Sequence, residues 1–587
     1  MKSTINNINH NPGHERGSAN EPRIVIIGAG PTGLGAGYRL KELGYKNFAI
    51  YDRLPYIGGL ASSFTDSAGF TWDIGGHVMF SHYKYYDQCF EDLMGKDYQL
   101  NNRECWVRMF DSWVPYPFQN NIRHLPREVT YECLAGLVKA QAKGDHKTAT
   151  NFREFIDKVF GEGIAKHFML PYNFKVWAHP AEMMNKEWIG ERVAVLDVDR
   201  AIKNVVMGSD DFGWGPNNQF KFPLYGGTGE FYRRIGKAIG VADGEGNGHI
   251  HLNKAIDFIN IARKEIRFKD GEIVHYDQLI SAMPLDKLCN DVINGEMPRE
   301  IKKAAAGLRH SGGYMVGVGI KQPCPSTKSW MYFPEANCPF YRVTYLSNYS
   351  PYMTPDNKTH YSLLCETSYS EYKPVDKDRV VEETITGLVN AGLLNDEDRK
   401  DIVDTWVYHA DYSYPTPSVE RDGILSQVIP WLEQHDIYSR GRFGMWKYEV
   451  SNTDHTLMQG VEVVNRLLLG EPEATIGIKY ESTLDGRNAA NHERSHVAGS
   501  GDPKRAAAAA AGASSPAGKS SPDASAPTVS HLGQHTRPAG KSAKAELTAV
   551  GAGHSDVGDK DEAHTSEEEL GVTAPRSVTT PRKEGAK

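Results

Sequence analysis

Four β-branched residues in a row, Ile24 to Ile27, follow a charged arginine and run into Gly28. So short an apolar run, closed by glycine, predicts a strand buried on both faces, as in a parallel sheet. Helical spacing takes over from Leu34 to Leu43, and a second strand is predicted from Asn47 to Tyr51. The period then keeps changing. RECWVRMFDSWVPYP alternates apolar and polar positions about a hairpin and breaks at Pro115 and Pro117. From Leu125 to about Trp188 apolar residues return every third or fourth place, Phe152, Phe155, Ile156 and Val159 among them, which predicts helices packed by one face. Short strands joined at Lys269 to Glu272 lead to an apolar strand near Ala282 and Pro284. Strand-like runs such as GYMVGVGI, FYRVTYLSNY and HYSLLCETSY follow, interrupted by one helix, DRVVEETITGLVNAGLL, and a last helix is expected from about Thr456.

The first strand, turn and helix carry a nucleotide signature. Gly28, Gly30 and Gly33 form GxGxxG: the first glycine permits the tight turn, the second lets the backbone approach a pyrophosphate, and the third lets helix and strand pack closely. Asp52 ends the second strand, where an acid takes the ribose hydroxyls of an adenosine. Gly58 and Gly59 supply a second turn for the same pyrophosphate, and strand pairs ahead of the strand ending at Pro284 are typical of flavoprotein domains. The expected architecture is α/β: a discontinuous Rossmann-like FAD-binding domain, a helical domain and a mixed β-sheet substrate domain. Its pieces are a disordered start at 1–21, FAD-binding parts at 22–105, 217–295 and 435–480, helical substrate domain at 106–216 with mobile loops, mixed sheet at 296–434, and a disordered low-complexity tail at 481–587.

Composition changes this picture at three points. At 587 residues, two or three domains are expected. A net charge of -8 argues against nucleic acid as a partner, so any anionic ligand must be held by locally placed arginines. Seven scattered cysteines, never spaced CxxC, point to reduced thiols and no metal site. With neither an apolar leader in residues 1 to 22 nor a membrane-length apolar run, the reading is a soluble cytoplasmic protein. The GKS in the tail lacks the strand and spacing of a phosphate loop.

Candidate chemistry clusters in a few stretches. Gly75, Gly76 and His77 form a turn that brings backbone and an imidazole near a flat ligand, with His82 close behind. In PYNFKVW, Asn173 and Trp177 share one face of a helix, which suits ribose and base recognition as well as a packed Trp with a capping Asn. WIGERVAVLD with Arg192 and GSDDFGWGPNNQF with Asn217 read as mobile, lid-like loops. Arg192, Arg342 and an excess of tyrosines offer what a diphosphate requires: bidentate charged donors, plus neutral phenols that add no repulsion.

Taken together, GGHVMFSHYKYYD, WVPYPFQNN, PYNFKVWAHP, ERVAV, WGPNNQF, GGTG, WMYFPEANCPFYR, SNYSPY, YPTP and SRGRFGMWKYEV resemble, in order, the eukaryotic UDP-galactopyranose mutases, over roughly Pro22 to Tyr480. The resemblance implies an isomerase interconverting UDP-galactopyranose and UDP-galactofuranose for glycan synthesis, in which reduced FAD attacks the anomeric carbon through N5 with no net redox change. It implies Arg192 and Arg342 on the diphosphate with Tyr332, Tyr349, Tyr414 and Tyr448. Tyr116, Phe118, Gln119, Phe168, Asn173 and Trp177 would hold uridine, with Asn217 and Trp330 by the galactose. His77 would lie near N5, with Gly76, Arg442 and Asn452 also at the cofactor and His82 supporting the His77 loop. NADPH is the implied reductant, with Arg103, Cys105 and Arg442 as contacts, although Cys105 stands where fungal relatives often have serine. The resemblance leaves oligomeric state open. Two rivals share the glycine signatures: a flavin amine-oxidase-like oxidoreductase, which needs an apolar amine or porphyrin pocket, and an inactive FAD scaffold whose tail recruits partners.

Overall fold

The computed structural model describes residues 21–189, 198–211, 219–242, 247–293 and 296–476, together with the backbone of the pair 576–577. Arg192 and Asn217, with most of the two lid-like stretches expected to carry them, lie outside the described residues, as does nearly all of the expected disorder at 1–21 and 481–587. One departure falls in that tail: Arg576–Ser577 forms a short strand against Trp406 and Val407.

The apolar run Ile24–Ile27 lies in the middle of a five-stranded parallel sheet, in the order Ile437–Ser439, Gln278–Ser281, Ile24–Ile27, Phe48–Tyr51, Ile250–His251. Central position explains the unbroken β-branched run, because side chains on both faces must be covered. Ile24 and Ile26 point to a layer of helices, Pro31–Glu42, Gly229–Ile239 and Thr453–Leu469, whereas Val25 and Ile27 meet a second layer on the opposite face. That second layer contains the antiparallel strands Ile256–Asn260, Glu265–Phe268 and Ile273–His275, turning at the Lys269 to Glu272 stretch read from the sequence. Helices Pro31–Glu42 and Thr453–Leu469 touch backbone to backbone: a Cβ on Gly460 would sit 1.9 Å from the Thr32 carbonyl oxygen.

A second sheet has eight strands in the order Arg576–Ser577, Ile402–Pro415, His310–Ile320, Tyr361–Tyr369, Arg342–Tyr345, Trp330–Tyr332, Cys105–Met109, Ser112–Pro115. Its pairs are antiparallel except that Trp330–Tyr332 runs parallel to Cys105–Met109. The expected hairpin at Cys105–Pro115 therefore joins the mixed sheet and not the helical domain. Helix Arg421–Glu433 also changes sides. Its Ile424, Leu425, Val428 and Leu432 pack on the parallel-sheet layer with Val25 and Ile27, so the third nucleotide-binding piece starts before residue 435.

Helices Arg127–Lys143, Phe152–Ile164, Leu170–Trp177 and Val198–Met207 build the helical unit around Phe118, Phe152, Phe160 and Trp177. The first helix of the chain begins at Pro31, earlier than the apolar spacing from Leu34 indicated, because proline at the first helical position sacrifices only a backbone donor that has no partner there. The final helix likewise starts at Thr453, with Asn452 as its N-cap.

Candidate active site

The glycine turns form a backbone cradle. Gly28 adopts φ +104°, and a Cβ on Gly33 would lie 1.8 Å from the Gly28 carbonyl oxygen, so helix and strand meet at a distance only glycine allows. The second turn faces the first: Gly58 and Gly59 adopt φ +107° and +53°, and a Cβ on Gly59 would come within 3.3 Å of Gly30 Cα. Helix Pro31–Glu42 opens at Gly30 with no side-chain cap and no acid in its first turn, which leaves its N-terminal N–H groups and their partial positive charge for an anion. Asp52 Oδ2 accepts the Ala29 N–H at 2.6 Å and Oδ1 accepts the Leu54 N–H at 2.8 Å. Asp52, read from the sequence as the acid for the ribose hydroxyls, here braces the glycine turn; burial pushes its pKa up, and the two backbone donors oppose that.

Beyond the cradle lies the loop with Gly75, Gly76 and His77. The His77 ring donates from Nδ1 to the Gly75 carbonyl at 3.0 Å, which leaves Nε2 as its acceptor. Burial, then the positive charges of Arg442 and Arg342, lower its pKa from 6.5 to about 4. The neutral imidazole therefore persists through the physiological range. On unfolding His77 regains its ordinary affinity for protons, so it subtracts stability only as pH falls through 6.5 toward about 4. We expect no His77 ionisation between about pH 5 and about pH 8 in the rate profile; a step there that His77→Gln removes would contradict this.

Arg342 stands at the end of the strand Arg342–Tyr345, directly across from Glu366 on Tyr361–Tyr369. Its Nε and Nη2 donate to the two carboxylate oxygens of Glu366 at 2.7 and 2.8 Å. The same carboxylate accepts the Gly76 N–H at 3.0 Å and the Tyr341 hydroxyl at 2.7 Å. Burial acts against both charges, but each holds the other ionised: Glu366 is lowered and Arg342 stays well above its usual value. Tyr341 and Tyr414 exchange a hydrogen bond at 3.2 Å, and the Arg442 guanidinium lies over the Tyr414 ring at 4.8 Å. Arg442 Nε is buried with no hydrogen-bond partner, as is Thr344 Oγ1 near Gly76. A buried donor of Arg442 left without a partner, together with the glycine cradle and the flat-ligand loop, fits a flavin dinucleotide.

An aromatic wall closes the other side. Tyr116 and Tyr172 each pack on Tyr332, with centroids 5.1 and 5.3 Å away, and Trp330 Nε1 donates to the Tyr332 hydroxyl at 2.8 Å. Trp177 packs on Tyr448 at 4.6 Å and on Tyr414 at 5.8 Å. Tyr349 is buried against Phe220 and Phe222. Burial raises the pKa of Tyr332 to about 12 and pushes Tyr116, Tyr349 and Tyr414 up as well, so these phenols remain neutral donors. Phe118 and Phe168 stack on one another at 4.2 Å and are fully buried, which places them behind the wall as its support. Gln119 is buried beside them, and Asn173 donates to the Met169 carbonyl one turn back at 2.7 Å. Arg103 joins the cluster by stacking on Trp330 at 4.9 Å and donating to Cys105 Sγ at 3.1 Å, while burial holds the Cys105 thiol up at about 12.

Two features were absent from the sequence reading. Glu366 and Tyr341 were not singled out; a lone acid inside the apolar run LLCETSY was the available signal. His82 Nδ1 pairs with Asp454 Oδ2 at 2.8 Å, which pins the far end of the His77 loop to the helix Thr453–Leu469. With His455 these make one His/Asp/His group of metal-ligand type among the described residues, where none was expected. Its members already hold one another and Tyr83, whose hydroxyl meets His455 Nδ1 at 2.7 Å.

Known proteins share this fold. The family model for flavin containing amine oxidoreductases matches residues 31–430. A crystal structure of a reduced UDP-galactopyranose mutase superposes with a TM-score of 0.75 at 43% identity, over 80% of this chain and 98% of that one. A protoporphyrinogen oxidase, described as putative, from Exiguobacterium sp. 255-15 shares the fold at a TM-score of 0.56 and 14% identity, over 77% of this chain and 99% of its own. A probable zeta-carotene desaturase of Synechococcus elongatus is 41% identical over 61 residues, 10% of this chain, and the match spans 12% of that relative's length. With the flavin family matched over more than half of its length, and a mutase aligned almost end to end, the chain belongs to the flavin-containing amine oxidoreductases and, among them, to the UDP-galactopyranose mutases.

Proposed function

We propose that this protein is a flavin-dependent isomerase that interconverts UDP-galactopyranose and UDP-galactofuranose. The observation that carries the proposal is Arg342, a charged guanidinium locked by Glu366 among neutral phenols and set against a flavin-type cradle. FAD bound at Gly28, Gly30, Gly33, Gly58 and Gly59 would supply, once reduced, the nucleophilic nitrogen that takes the anomeric carbon from UDP. The chain's own residues do the rest. Arg342, together with Arg192, balances the charge arriving on the diphosphate, and Tyr332, Tyr349, Tyr414 and Tyr448 add donors without repulsion. Neutral His77 offers an acceptor and no competing charge near the flavin. The wall of Tyr116, Trp177 and Tyr332 orients uridine, and Asn217 and Trp330 are assigned to the sugar. An amine-oxidase-like oxidoreductase would need an apolar pocket, which the part-buried Arg342–Glu366 ion pair does not provide.

NADPH is the proposed reductant, with the Arg103 and Arg442 guanidiniums as its charged contacts. We place the reaction in the cytoplasm: all seven cysteines are unpaired, six of them buried, as a reducing compartment favours. Among the described residues no helix is long and apolar enough to cross a membrane.

The test is chromatography of UDP-sugars after incubation of the purified, yellow holoprotein with UDP-galactofuranose. Conversion to the pyranose is expected only after anaerobic reduction. Turnover by fully oxidised protein, with reductant rigorously excluded, would refute the mechanism, and a colourless protein unable to retain flavin would refute the function.

A further inference from the structure

Glu366 satisfies two groups that belong to different halves of the site. One is the Arg342 guanidinium, assigned to the diphosphate; the other is the Gly76 N–H, in the loop that carries His77 to the flavin. With the Tyr341 hydroxyl, four donors converge on this carboxylate, which is 2% exposed. Strand register makes the arrangement stiff, since Glu366 and Arg342 are direct antiparallel partners.

The loop side has a second polar group within reach. Gly75 sits at φ +86°, and Gly76 packs so tightly on Thr344 that a Cβ there would lie 2.6 Å from Oγ1. That hydroxyl is buried without a partner, so it offers the loop a second hydrogen bond to exchange for the one from Glu366. Two polar groups thus flank one loop, and one of them, Glu366, is shared with Arg342.

We propose that Glu366 is a positioning residue that couples the diphosphate site to the His77 loop, so that occupation of Arg342 by UDP is felt at the flavin. The proposal rests on the mutase reading above. When a diphosphate draws on the Arg342 charge, the carboxylate loses part of its compensation and leans harder on its other donors, Gly76 among them. By reciprocity, any change of flavin state that shifts the loop alters how firmly Glu366 holds Arg342, and hence UDP affinity.

The test measures UDP dissociation constants of the holoenzyme with oxidised and with dithionite-reduced flavin, for the wild type and for Glu366→Gln. The wild type is expected to show a difference between redox states of about fivefold or more, and Glu366→Gln a ratio near unity with its flavin still bound. Tyr341→Phe, which leaves the Arg342 and Gly76 bonds intact, should keep the wild-type ratio. If Glu366→Gln weakens UDP equally in both states, or if the wild type shows no difference, the coupling is overturned. A wild type that binds UDP in neither state removes the mutase reading along with the coupling. Should Glu366→Gln not fold, Arg342→Lys serves: without any ligand it should shift the visible flavin bands through Glu366 and Gly76, and an unchanged spectrum overturns the proposal.

Discussion

Arg342→Ala should lower turnover by about 10²–10³-fold while the protein stays yellow, because charge stabilisation of a departing group is worth roughly that factor per well-placed donor. Retention of flavin follows from the fold. The glycine turns belong to the parallel sheet and its first helix, whereas Arg342 belongs to the eight-stranded sheet. The substitution has a second consequence, at Glu366. Breaking a buried ion pair by removing one partner costs about 3–5 kcal/mol, since the remaining charge is left uncompensated. In the wild type the Glu366 pKa lies below its ordinary 4.5, so its contribution to stability is present above that value and is lost as pH falls through the folded-state value. Without Arg342, burial is opposed only by the Gly76 N–H and the Tyr341 hydroxyl, so the variant should lose the stability that Glu366 otherwise contributes above about 4.5. Melting temperatures across pH read this directly. Arg342→Ala combined with Glu366→Gln should recover stability but not turnover, which separates the fold's need for the pair from the reaction's need for the cation. Full activity in Arg342→Ala would end the diphosphate assignment.

The site became legible in the sequence to the extent that its signals were local. Ile24–Ile27, the glycines behind it and Asp52 fall within one βαβ stretch, where each residue has a steric or electrostatic reason visible from its neighbours. The hairpin at Cys105–Pro115 showed itself by alternation, but its place did not. It pairs in parallel with Trp330–Tyr332, far along the chain, and no local pattern encodes that choice. The same holds for the long-range partners. Arg342 was recognisable as a functional cation, yet its counter-ion is set by register across two strands, so Glu366 looked like an irregularity in an apolar run. Helix Arg421–Glu433 was assigned to the wrong piece for a related reason: its apolar face says that it packs, not on which sheet. The His82–Asp454 pair, drawn from the two ends of the nucleotide-binding pieces, likewise needed the assembled fold.

Gly33→Ala is expected to produce protein that has lost most of its flavin, or that does not accumulate in soluble form. The added methyl would stand 1.8 Å from the Gly28 carbonyl oxygen and 3.2 Å from Ile26 Cγ2. Neither neighbour is a flexible side-chain end. Relief demands that helix Pro31–Glu42 lift from the strand, and that helix is also pinned on its other side by Gly460 against Thr32. Overpacking in a core costs about 1–3 kcal/mol when side chains give way, and more when only backbone can. Lifting the helix also carries its N-terminal N–H groups away from the second turn at Gly58 and Gly59, so cofactor affinity and stability fall together. Gly423→Ala supplies the contrast. That glycine lies in helix Arg421–Glu433 with nothing within 4 Å of where a Cβ would stand, and the exchange should raise stability by about 0.4–1 kcal/mol by restricting the unfolded chain. Flavin content per chain and melting temperature, measured on both variants, distinguish the two effects; a Gly33→Ala protein with full flavin and an unchanged melting temperature would show that helix and strand are not held as closely as the glycine motif requires.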